Sequence, residues 1–411
     1  MLSFEDAPAI ELVKTSPKGP RRRCRLSVDG LDVVTEAGPE GKALKASRKS
    51  FPSAQEARVA WDKAVREKLR DDFAFVRPFE ETPVGGLLLC AFASGAGAGT
   101  LLDFSLDGRL AVTVGSDAKL TAYWVEVIEV ATGARRRVFE RTVLARQGFV
   151  HAVFFDAAGE AVYLAPQEET LRVDLATGAA TRVAGYDEHR TARFNPFVVR
   201  PHADLARRRV VVFDAGDHVR VLDPAHRPIF SVCVASPTTE CRAAEISPSG
   251  RLLALYRVSR GVVYNHDDAR HDDTSVVEVW DVDAGSLRAS LPMPRQVDGV
   301  GLSPDDATLL VSEQYAKGPI AYDLATGAER WRLTEPYRPD ELAQCHDWAY
   351  SPDGSLLAVG HGVTGLYDAA TRAPVALEPA GMYRTPAVRF SADGSRLASA
   401  EGGLCVVRRV R

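Results

Sequence analysis

An apolar residue followed by a Ser-Pro-Asp-Gly-type turn recurs seven times, a second marker alternates with it, and a differently composed stretch precedes both. These three observations predict a mainly β chain: a small α+β module followed by a seven-bladed β-propeller. The first marker runs Phe104-Ser-Leu-Asp-Gly108, Phe155-Asp-Ala-Ala-Gly159, a decayed Val199-Arg-Pro-His-Ala203, Ile246-Ser-Pro-Ser-Gly250, Leu302-Ser-Pro-Asp-Asp306, Tyr350-Ser-Pro-Asp-Gly354 and Phe390-Ser-Ala-Asp-Gly394. The second is an apolar-acid pair, often with Gly four residues after the acid. It stands at Ile128-Glu129, Val173-Asp174, Leu222-Asp223, Trp280-Asp281, Tyr322-Asp323 and Tyr367-Asp368. Successive first markers lie 51, 44, 47, 56, 48 and 40 residues apart, near the period of about 40–50 residues of propeller repeats.

Each unit reads as four short strands. The first ends at the Ser-Pro-Asp-Gly turn, where Pro presets φ and Gly accepts a positive one. The second is an apolar run, the third ends at the apolar-acid pair, and the fourth follows the Thr-Gly turn, as in Ala328 to Leu333. One such sheet cannot bury both faces alone, so it stacks on neighbours, and a closed ring protects the edges. The chain ends at Leu404–Val410, a third strand without its fourth. The apolar run Val84–Phe92 is expected to supply it and so to close the ring. The expected organisation is a module over 1–78, a linker over 79–83 and the propeller over 84–411.

The module has its own order of elements. Ile10–Thr15 and Arg23–Val28 alternate as strands, Asp29-Gly30 is a hairpin turn, Leu31–Thr35 is the return strand, and Ala43–Ser47 is a further candidate. Ser53-Ala-Gln-Glu56 forms a capping box opening a helix with Ala57, Trp61, Ala64, Val65 and Leu69 on one face. Lys63, Arg66, Lys68 and Arg70 gather toward its C-terminal end, where the helix dipole favours cations. Phe73–Val76 follows as a strand.

On the repeats, residues 82–411 resemble the WD-repeat and quinoprotein-like propellers, with Trp280-Asp281 as the one copy of the namesake dipeptide. Ala321–Trp331 is similar to the docking motif of pyrroloquinoline-quinone dehydrogenases, but its Trp form occurs once and is read as a packing Trp. Residues 8–77, through Phe51-Pro-Ser, Glu56-Ala57 and Glu67-Lys68-Leu69 ahead of Phe73, resemble the WGR domain of poly(ADP-ribose) polymerases and various bacterial proteins. Gly38 and Gly41 match its Gly-x-x-Gly part, while Val34, Thr35 and Glu36 stand in place of the tripeptide. That resemblance implies nucleic-acid association.

Charge is uneven along the 411 residues. Residues 1–78 carry sixteen Lys and Arg against twelve Asp and Glu, the rest 35 against 43, and seven of the nine lysines lie before residue 79. An anionic partner would therefore meet the module first. Arg21, Arg22, Arg23, Arg25, Lys42, Lys45, Arg48 and Lys49 are the candidate phosphate-binding residues, and a charged strand edge is the alternative reading. Six scattered cysteines without a CxxC pair read as buried hydrophobes in a reducing compartment. No secretory leader or spanning segment is expected, which places the chain in the cytoplasm.

Candidate chemistry is sparse. The densest set of metal-ligating types is His266, Asp268, His271 and Asp273, in the longest repeat. It is read as a solvated insertion loop, so no metal or other cofactor is expected. In Cys345-His346-Asp347, neighbouring strand side chains point to opposite faces, which disfavours a nucleophile–base pair. No nucleophile elbow or phosphate loop is present. The reading is a monomeric, non-catalytic scaffold whose loop faces bind protein partners. Nucleic-acid binding by the module is the first alternative, and an enzyme site in the propeller funnel the second.

Overall fold

In the computed structural model the described residues are 9–15, 19–92, 101–143, 150–166, 169–185, 202–204, 206, 208–214, 218–234, 239–259, 275–293, 297–313, 318–333, 347–361, 363–377, 387–401 and 403–411. The module holds β1 (Ala9–Lys14), β2 (Arg22–Asp29), β3 (Asp32–Pro39), β4 (Lys45–Ser50), α1 (Ala54–Arg70) and β5 (Ala74–Val76), and β6 (Leu87–Phe92) follows it. Ser53 caps α1 by accepting the Glu56 N–H on its Oγ at 3.2 Å, as the capping box predicts. Gly30 takes φ +61° in the β2–β3 hairpin, a conformation that costs glycine little.

Five four-stranded antiparallel sheets follow. They comprise β7 (Leu102–Phe104), β8 (Leu110–Ser116), β9 (Ala122–Glu129) and β10 (Arg135–Thr142); β11 (Val150–Phe155), β12 (Ala161–Pro166), β13 (Glu169–Asp174) and β14 (Ala180–Gly185). Next come β15 (His202–Ala203), β16 (Val210–Asp214), β17 (His218–Leu222) and β18 (Pro228–Cys233); then β19 (Thr239–Ile246), β20 (Leu252–Ser259), β21 (Val276–Asp281) and β22 (Ser286–Pro292). The fifth is β23 (Val297–Leu302), β24 (Thr308–Glu313), β25 (Ile320–Asp323) and β26 (Glu329–Arg332). The sixth sheet has three strands, β27 (Asp347–Tyr350), β28 (Leu356–His361) and β29 (Val363–Asp368), with a single bridge from Tyr367 of β29 to Pro374. The last strands are β30 (Val388–Phe390), β31 (Arg396–Glu401) and β32 (Leu404–Arg409).

The arrangement is a β-propeller of six separate blades, which corrects the expected seven. The strands of the last repeat form no sheet of their own. They belong to a nine-stranded sheet, ordered β30-β31-β32-β6-β5-β1-β2-β3-β4. The reason lies in β6, which has two partners. Cys90 pairs with Val406 on one side and with Phe75 on the other, so the module's strands extend the sheet that a closed blade would have ended. First strands of neighbouring repeats pack together, and β30 lies against β7, bringing the two ends of the array together.

The repeat turns are rigid for a chemical reason. Ser105 Oγ accepts the Leu110 N–H at 3.0 Å and donates to Asp107 Oδ1 at 2.6 Å, while Asp107 accepts the Arg109 N–H at 3.0 Å. The same network recurs at Ser351/Asp353 and Ser391/Asp393. The second marker repeats too: Asp174, Asp323 and Asp368 each accept the hydroxyl and backbone N–H of the threonine three residues on. These acids hold turns. The core lies between sheets as a series of wedges; Val114 and Val125 of one blade, for example, meet Phe155 and Val162 of the next.

Module and propeller share a core. Trp61, Val65 and Leu69 of α1 are at most 1% exposed and pack with Leu12, Cys90 and Val406. Emptying a fully buried Trp site costs about 3–5 kcal/mol in general, so this contact is a substantial tie. On the sheet's other face, Gly133 of the first blade sits against Ala74 and Val76. Arg135 donates to the Phe92 carbonyl and to the Asp72 carboxylate, and its side chain is only 12% exposed. Residues 79–83, the expected linker, turn around the Arg409 side chain. Arg409 Nη1 donates to the carbonyls of Phe79 at 3.1 Å and Thr82 at 2.9 Å, and Arg396 and Arg409 stack on the Phe79 ring.

Candidate functional site

Two regions collect charge: the open part of the N-terminal sheet and the axis of the propeller. The eight candidate phosphate-binding residues are all described, and the sheet divides them. Strand parity puts Arg23, Arg25 and Arg48 on the face away from α1, because their neighbours Cys24, Leu26 and Val33 point into the core under the helix. Arg22, Lys45 and Lys49 pair with positions of the helix side, opposite Pro39, Ala37 and Val33. Arg21 and Lys42 lie in the flanking turns.

Acids occupy most of the arginines. Arg23 holds Glu11 with two bonds of 2.6 and 2.8 Å. Arg48 bridges Asp29 and Asp32 at 2.7 Å each, Arg21 lies 3.7 Å from Glu40, and Arg25 lies 3.9 Å from Glu36. The Arg23 bond is also the main reason why Glu11 titrates below the ordinary carboxylate range. Glu36 stands directly across the strands from Arg25. Among the described residues Arg22, Lys42, Lys45 and Lys49 enter no ion pair, and Lys49 lies 5.3 Å over the Phe51 ring.

At the axis, one residue position recurs in each first strand, two before the Ser or Asp of the turn. It holds Asp103, Phe154, His202, Glu245, Gly301, Ala349 and Arg389. Asp103 is 1% exposed and accepts the Phe155 N–H of the next blade at 2.9 Å. Asp347, further along its strand on the same side, accepts the Val388 N–H at 3.0 Å and Arg389 Nη1 at 2.7 Å. Blade-to-blade contact here is polar and directional.

Arg389 is the hub. Burial works against its charge, yet Asp347, Asp103 and Glu245 together hold its pKa above the ordinary value. Its side chain still keeps 37% of its accessible surface, so the guanidinium meets water inside a protein surround. Beside it, Trp348 packs where Gly299 and Gly301 carry no side chain; a Cβ on either would come within 3 Å of the indole ring. The bonds of Asp103 and Asp347 tie neighbouring sheets together. Among the described residues no three His, Cys, Asp and Glu side chains are placed to hold a metal ion.

Asp103, Glu245 and Arg389 were missed in the sequence, though one signal was there: a charged residue at a repeat position held elsewhere by Phe, His, Gly and Ala. Of the trio Cys345-His346-Asp347, only Asp347 is described; it opens β27 and faces Arg389. Cys345 and His346, and the metal-ligand candidates His266, Asp268, His271 and Asp273, lie outside the described residues. Of the other cysteines, Cys24, Cys90, Cys241 and Cys405 are buried and Cys233 is exposed. Among the described residues no helix is long and apolar enough to cross a membrane.

No protein-family model matches this chain, and no curated protein does.

Proposed function

We propose that the protein is a non-catalytic interaction scaffold, a WGR-like module fused to a WD-repeat-like propeller and working in the cytoplasm on protein partners. The observation that carries this reading is the nine-stranded sheet. It makes module and propeller one stiff platform, and stiffness lowers the entropy lost when a partner docks. The acids that the repeats provide at each turn are consumed in holding those turns, which favours support over catalysis. The test is affinity capture of the tagged chain from its own cells, followed by reconstitution from purified components. A stoichiometric complex with a defined protein is the expected result. A purified chain that turns over substrate with no partner would overturn the reading.

A second reading, nucleic-acid association, rests on Arg22, Lys42, Lys45 and Lys49, which face no acid at ion-pair distance among the described residues. It predicts an oligonucleotide affinity that falls steeply with salt and is lost in a Lys42, Lys45 and Lys49 to Ala variant. The pairing of Arg21, Arg23, Arg25 and Arg48 with acids weighs against it.

A further inference from the structure

Strand β4 ends the nine-stranded sheet, and all six of its residues are exposed. The ladder shows which of its backbone groups are spare. Phe51 N–H donates to the Leu31 carbonyl at 2.9 Å in the register that pairs Ser50 with Asp32. In an antiparallel ladder directly bonded pairs alternate with unbonded ones. The bonded pairs are therefore Lys49 with Val33, Ser47 with Thr35 and Lys45 with Ala37. The N–H and C=O groups of Ala46, Arg48 and Ser50 point outward, where no strand among the described residues pairs with them.

The side chains say what that strand would be. Lys45, Ser47 and Lys49 stand on the α1 side, and Lys42 lies in the turn before them. On the other side Arg48 is held by Asp29 and Asp32, between the small residues Ala46 and Ser50. An added strand thus meets Lys45 and Lys49 with Ser47 between them on one face, and Ala46, Ser50 and the acid-held Arg48 on the other. A second copy of β4 would set lysine near lysine, which is how natural edges discourage self-pairing. An acidic strand suffers no such penalty.

We propose that β4 is a docking edge for an extended peptide, taken up by β-strand addition, with carboxylates placed to face Lys45 and Lys49 and small or β-branched residues opposite Ala46, Arg48 and Ser50. The proposal rests on the scaffold reading and names the chemistry of one partner.

The probe is a fluorescein-labelled Glu-Val-Glu-Val-Glu-Val peptide, titrated with the full chain at low salt and followed by anisotropy. Two variants test the two halves of the argument. Ala46→Pro removes an outward N–H and puts a ring on the edge while sparing the bonded pairs, as prolines on edge strands do. Lys45→Glu with Lys49→Glu reverses the charge. Each is expected to weaken the peptide at least about tenfold, a loss of about 1.4 kcal/mol, with unchanged circular dichroism. A peptide N-methylated at alternate residues is expected not to bind. Peptide binding that survives Ala46→Pro, an N-methylated peptide that binds equally, or binding of an oligothymidine in place of the peptide would each overturn the proposal. If a reconstituted protein partner still binds the Ala46→Pro chain, the edge is refuted and the scaffold stands; if no partner exists, the scaffold itself fails.

Discussion

Gly133→Ala measures the seam between module and propeller, because a sister glycine supplies the control. Gly133 and Gly285 occupy the same turn in different blades, with φ of +67° and +63°. For an L residue that conformation costs about 1–2 kcal/mol in either turn, and the entropy change in the unfolded chain cancels between them. Their surroundings differ. A Cβ on Gly285 meets nothing within 4 Å, whereas one on Gly133 would stand 2.8 Å from Ala74 Cβ and 3.0 Å from Val76 Cγ2. Strand β5 is bonded to β1 and β6 on its two sides and cannot easily retreat, so overpacking adds about 1–3 kcal/mol. Gly133→Ala should therefore lose about 2–5 kcal/mol in all and Gly285→Ala only the backbone part. Urea unfolding followed by far-ultraviolet circular dichroism reads the difference as a shift in midpoint at constant slope. Equal losses in the two variants would refute the docking of β5 on the first blade.

Three further outcomes follow from the same structure. Arg389→Met leaves Asp347 and its neighbouring acids facing one another at the axis; unfolding should cost about 1–3 kcal/mol less, an amount reduced by the water that reaches the group. The turn aspartates make stability fall in acid. Arg330 and Thr326 bond the Asp323 carboxylate and hold its pKa at about 2, and Arg411 and Ser351 hold Asp353 down likewise. The unfolded chain takes up these protons first, near pH ~4, so the stabilisation is present above that pH and disappears as pH falls toward 2. Melting temperature between pH 5 and 2 should drop, and less steeply in Asp323→Asn. Burial pushes the Cys405 thiol up to about 12, whereas Cys233 is exposed. Among the five described cysteines, iodoacetamide at pH 8 should modify Cys233 first, read by peptide mass spectrometry, and early labelling of Cys405 would contradict its placement.

The parts legible in the sequence were those fixed by local chemistry. Ser105 with Asp107 and Gly108, or Asp323 with Thr326 and Gly327, must sit at set spacings because they bond within a single turn. Ser53 and Glu56 announce a helix start in the same way. What eluded the sequence depends on which strands meet. An apolar run such as Leu87–Phe92 can serve as a fourth strand, but nothing local says that it also accepts β5 on its other edge. That second pairing turns an expected separate blade into part of a longer sheet. The basic residues lie close together in sequence, but alternation sends Arg48 to one face and Lys49 to the other. Asp103, Glu245, Asp347 and Arg389 lie far apart in sequence and meet only once the array brings its first strands together.

The joined sheet is the claim on which the rest turns, and native-state hydrogen exchange on the full chain tests it most directly. Amides of Ala57–Leu69 in α1 and Ala74–Val76 in β5 are predicted to exchange through the same cooperative opening as Leu404–Arg409 in β32, since β5 and β32 belong to one sheet and all three share one core. Exchange of α1 and β5 through a lower-energy opening that leaves Leu404–Arg409 protected would show two separable units and contradict the account.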